Sequence, residues 1–96
     1  MATPEPHAVQ LAIRGPIDRT DLPWLGERVC ALMRESGADL VLCDVSAAEP
    51  SVVTVDALAR LQLAAQRSGC RVRLRNPSSA LRELVAFMGL GDVLPE

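Results

Sequence analysis

Ninety-six residues, 49% of them hydrophobic and 23% charged, suit one small domain with a modest core and argue against a disordered chain. Twelve acidic against ten basic residues give a formal net charge of −2, which supplies no net attraction to a phosphate backbone or an anionic lipid surface. With one Trp, one Phe and no Tyr, the core has to be built from Leu, Val and Ala.

Residues 1–7 (MATPEPH) hold two prolines and no periodicity and read as a loose lead-in, with the domain spanning residues 8–96. From Ala8 to Arg14 the residues Val9, Leu11 and Ile13 alternate with Ala8, Gln10 and Ala12, the pattern of a half-buried strand that Gly15-Pro16 terminates. A helix is expected over Asp21–Ser36. Thr20 or Asp21 stands at its start, Leu22, Leu25, Val29 and Leu32 form its apolar stripe, and Gly37 provides its stop. Trp24 lies off that stripe and reads as a partly buried packing residue, with a partner contact as the alternative.

Leu40–Val45 is a continuous apolar run of strand length, followed by an expected polar loop over Ser46–Val53. A second helix is expected from Thr54, as N-cap, to Ser68, with Val55, Leu58, Leu61 and Ala65 facing inward and Asp56 near the positive end of the dipole. Cys70–Arg75 alternates again: Val72 and Leu74 belong to the core, while Arg71, Arg73 and Arg75 line the other face. Asn76-Pro77 is the expected start of a third helix, which carries Leu81, Leu84, Val85 and Met88 on one stripe and closes at Gly89. Leu90, Val93 and Leu94 in the tail are apolar enough to dock back on the domain.

The chain reads as β-α-β-α-β-α, and the expected fold is an α/β single domain, a mainly parallel sheet of about four strands with helices packed mostly on one face. No Gly-rich phosphate loop is present, and the lone His7 in the lead-in supports no nucleophile–base set, so an enzyme is not expected. Cys30, Cys43 and Cys70 are an odd number without zinc-type spacing and read as small buried hydrophobes; neither a metal nor a cofactor is expected. No run approaches the ~18 apolar residues of a membrane span, so no membrane insertion and a cytoplasmic location are expected.

Three segments carry a family resemblance: IRGPID (Ile13 to Asp18), LVLCDVS (Leu40 to Ser46), and SGCRVRLRNPSSALRELVAFMGLGDVL near the end. They resemble the strand end and turn, the central strand, and the closing strand–turn–helix of the STAS domain, the fold of anti-sigma-factor antagonists and of sulfate-transporter tails. The resemblance runs from about Val9 to Leu94. It implies a protein-interaction module that binds a kinase-type anti-sigma factor (a serine kinase) through the start of the central helix and the loop before it. Nucleic acid is not an expected partner. The contact would be made by Glu49, Ser51, Val52, Val53, Asp56, Arg60 and Arg67.

In antagonist members a Ser or Thr at that helix start accepts a phosphate that disrupts docking. Here the family's acceptor position falls on Val52 or Val53, leaving Thr54 and Ser51 as displaced phosphoacceptor candidates. Two alternatives accompany this reading: the STAS subunit of a bacterial lipid-transport ABC complex, and a small-ligand-binding STAS protein that uses the arginines of the last strand.

Overall fold

The computed structural model describes residues 8–96; the lead-in assigned to residues 1–7 lies outside the described residues. Three strands, β1 (Ala8–Gly15), β2 (Leu40–Ala48) and β3 (Arg71–Arg75), alternate with three α-helices, α1 (Leu22–Ser36), α2 (Val52–Arg67) and α3 (Ser79–Phe87). The strands form one parallel sheet in the order β1-β2-β3. It therefore has three strands among the described residues, one fewer than the sequence reading expects. Because the order advances in one direction, right-handed crossovers put α1 and α2 on the same face.

The register explains which side chains make the core. Val9, Val41 and Val72 lie side by side across the sheet, as do Leu11, Cys43 and Leu74, and all face the helices. Val41, Cys43 and Val72 have no accessible surface, and Leu25, Val29, Leu58, Leu61 and Leu81 from the helices close over them. The intervening row of Gln10, Leu42 and Arg73 faces away from the helices, and Arg71, Arg73 and Arg75 are exposed there.

The third helix begins two residues later than the Asn76-Pro77 signal implies. Ser78 is the N-cap, accepting from the Leu81 N–H, while Asn76 adopts a left-handed turn (φ 54°) that swings the chain out of β3. Asn tolerates this backbone region better than most residues, and its Nδ2 donates to Asp44 at 3.4 Å. The tail folds back as its composition implies, with Leu94 only 2% exposed.

That return closes one edge of the sheet. The Leu74 N–H donates to the Pro95 carbonyl at 2.8 Å. Next to it, the buried Gln62 amide behaves as a short piece of strand: its Oε1 accepts from the Val72 N–H, and its Nε2 donates to the Val72 and Val93 carbonyls, each at 2.8 Å. The outward Val72 N–H and carbonyl and the Leu74 N–H are thus occupied from within the chain.

Candidate functional site

The surface around the start of α2 is fixed by the end of β2. That strand continues past Val45 to Ala48, where the expected loop was to have begun. The pairing with β1 shifts between Ala12↔Asp44 and Arg14↔Ala47, so β2 inserts an extra residue there and keeps pairing. The bulge breaks the in–out alternation, which is why Ser46, Ala47 and Ala48 look like loop in the sequence. The connection shrinks to Glu49, Pro50 and Ser51, and the Glu49 N–H ties it to the Gly15 carbonyl at 3.0 Å.

Ser51, not Thr54, is the N-cap of α2. Its backbone is extended (φ −132°, ψ 158°), and its Oγ accepts from the Thr54 N–H at 3.2 Å. The Ser51 hydroxyl in turn donates to Thr54 Oγ1 at 3.0 Å. Thr54 is fully buried, packed within the first turn beneath the surface. The two displaced phosphoacceptor candidates are thereby hydrogen-bonded to each other, Thr54 buried and Ser51 half-buried.

What the first turn presents outward is apolar. Val52 and Val53 are each 55% exposed, at the helix end where four backbone N–H groups lack intrahelical partners. One turn on, Asp56 Oδ2 accepts from Arg60 Nε at 3.0 Å and from Arg19 Nε at 3.3 Å. The Arg60 hydrogen bond, ahead of the contribution from Arg19, holds the Asp56 carboxyl below its usual range. The result is a small apolar step bordered by an Arg–Asp–Arg cluster.

Seven residues were expected to share this surface. The fold brings Glu49, Ser51, Val52, Val53, Asp56 and Arg60 together at one end of α2. Arg67 is exposed in the last turn, roughly 20 Å along the helix from Val53 at 1.5 Å per residue. Two contributors escape the sequence reading. Arg19 comes from a single 3₁₀ turn (Arg19–Asp21) before α1, and nothing in one dimension couples it to Asp56. Leu63 is 52% exposed, and its spacing of three from Arg60 and seven from Asp56 was the available signal. Trp24, at 53% exposure, leans further into solvent than a packing residue should.

Among the described residues, no group of three His, Cys, Asp or Glu side chains is placed to hold a metal ion. No helix among them is long and apolar enough to cross a membrane. The site offers surface for a macromolecule: burying the exposed halves of two valines contributes about 1 kcal/mol each, and the flanking charges set orientation more than affinity.

The family described as "Mlab, STAS domain" matches residues 2–95. Among solved structures, the chain is similar to the anti-sigma factor antagonist SpoIIAA in its unphosphorylated form, with a TM-score of 0.62 and 15% identity, over 98% of this chain and 83% of that one. At that identity the likeness concerns the fold. No curated protein sequence matches the chain.

Proposed function

From the premise that this chain belongs to the STAS domain family, we propose that it is a cytoplasmic protein-interaction module of the anti-sigma-factor-antagonist kind, acting by docking and not by catalysis. It binds a kinase-type anti-sigma factor through Glu49–Val53 and the outer face of α2, with Asp56 and Arg60 setting the orientation. The observation that carries this reading is the pair of valines, both more than half exposed, on the first turn of the central helix. An apolar pair at that exposed end is stabilised when a partner covers it. The likeness to SpoIIAA, itself an anti-sigma factor antagonist, supports the same reading at the level of the fold.

The docking is constitutive. With valine at positions 52 and 53, and with Ser51 and Thr54 tied to each other, the usual phosphate switch has no ready acceptor. Titration calorimetry with a kinase-fold anti-sigma factor tests this. Val53→Glu, which puts a charge where a phosphate would sit, is expected to weaken binding at least a hundredfold without unfolding the chain. Wild-type affinity in Val53→Glu and in an Asp56→Ala/Arg60→Ala double variant would remove the surface from consideration.

The same valines favour one second reading, a fixed STAS subunit of a lipid-transport ABC complex, since a permanent subunit needs an apolar contact and no switch. Co-purification with a membrane ATPase, lost in Val53→Glu, would establish it; an ATPase fraction free of this chain would end it.

A further inference from the structure

The two edges of the sheet are treated differently. On β3, Gln62 occupies the outward N–H and carbonyl of Val72, and Pro95 the N–H of Leu74. On β1, the strand pairs with β2 alone, and along Gln10–Ile13 no hydrogen-bonding group among the described residues meets the outer edge. A bare edge is a template for pairing, and proteins ordinarily cover or blunt it. Here the edge instead forms the wall of a groove of about 410 Å³ between β1 and α1.

The two sides of this groove differ in chemistry. Toward the helices, Ile17, Leu25 and the half-exposed Trp24 ring give an apolar wall. The Trp24 indole is oriented by its N–H, which donates to Asp21 Oδ1 at 3.3 Å. Toward the uncovered face stands Arg14, and Arg28 marks the rim on α1; both are exposed, and neither is ion-paired among the described residues. Asp21 is the carboxylate on the lining, and its other oxygen already accepts the Asp18 N–H at 3.0 Å. Two unpaired guanidiniums against one engaged carboxylate leave the groove short of negative charge.

We propose that the free edge of β1 accepts an added β-strand from a protein partner, an extended segment in which acidic side chains alternate with apolar ones. Strand addition gives main-chain hydrogen bonds regardless of sequence, and alternate side chains give the choice of partner. Because successive residues of an added strand point to opposite faces, apolar ones meet the exposed Trp24 ring while acidic ones reach Arg14. This surface lies on the β1 side of the sheet and does not depend on the α2 surface.

The test is NMR on the ¹⁵N-labelled full chain with a capped hexapeptide of alternating Glu and Val, alongside its Lys–Val counterpart. The expected result is shift changes and slowed amide exchange across Gln10–Arg14, with the acidic peptide binding at least tenfold tighter. Arg14→Glu should invert that preference and Trp24→Ala should weaken both peptides, whereas Val53→Glu should leave binding unchanged. Both groove residues are exposed, and thermal melts report whether each variant is folded. Equal binding of the two peptides, or shifts confined to α2, would overturn the proposal. A concentration-dependent dimer that protects β1 would assign the edge to a second copy instead. Exchange in β1 that accelerates only when residues 1–7 are removed would assign it to the chain's own start.

Discussion

A single hydroxyl sets where α2 begins. Ser51 accepts the Thr54 N–H and donates to the Thr54 hydroxyl, so it satisfies an orphan donor and a buried oxygen at once. Ser51→Ala should cost about 1 to 2 kcal/mol in urea unfolding, whereas Ser51→Asp should retain most of the cap. The cysteines diverge in the same residue-level way. Burial pushes the Cys43 thiol up to about 12, so no thiolate is available at neutral pH. Cys30, half-buried on α1, is therefore expected to take up iodoacetamide in the native protein at pH 8 while Cys43 does so only after unfolding, a difference that peptide mass mapping reads directly.

At the level of elements, Gln62 carries more of the architecture than its residue type implies. Replacing it with Leu leaves the Val72 N–H and two carbonyls without partners in the interior, and at about 1 to 3 kcal/mol for a buried unsatisfied group the loss should reach roughly 3 kcal/mol. Gln62→Glu should be nearly as costly, because a carboxylate cannot donate to either carbonyl. Denaturant midpoints at pH 7 check both. The sequence reading did not anticipate this: Gln62 lies next to Leu61 on an otherwise apolar stripe, and its partners stand 10 and 31 residues away. By contrast, β1, β3 and the inward stripe Val55, Leu58, Leu61 and Ala65 were legible, because each obeys one period for its whole length. Legibility failed where two devices overlap. The bulge hides the end of β2, and two candidate caps in succession shift the start of α3 from Asn76 to Ser78. For the surface proposed to dock a partner, the family resemblance supplied the helix start as the expectation, whereas Arg19 reaches Asp56 only through the folded chain.

Across the whole molecule, acid is the stress to which the fold responds. Asp44 is held below its ordinary value of 3.8 chiefly by the Ser46 hydroxyl, Asp18 by the Thr20 hydroxyl, Asp56 by Arg60, and Glu96 below 4.5 by the Arg82 guanidinium. Each carboxyl keeps its proton less readily when folded than when unfolded. The stability they contribute is complete above the unfolded values and is lost as the pH falls through the lower folded ones. Urea midpoints should therefore stay flat from pH 7 to about 5 and fall steadily below 4. Asp44→Asn should start from a lower midpoint and show a shallower fall. A midpoint that rises on acidification would contradict these assignments.

In the language of polymer chemistry, a sheet with two reactive edges is a bifunctional monomer and grows without limit, whereas one with a single edge is an end-capper. The Gln62 amide and the Pro95 carbonyl make this domain monofunctional: an assembly built on β1 closes after one addition. Shortening the chain before Val93 together with Gln62→Leu would release both caps and restore the second functionality. Light scattering of that truncated protein should then show open-ended growth that the full chain never enters.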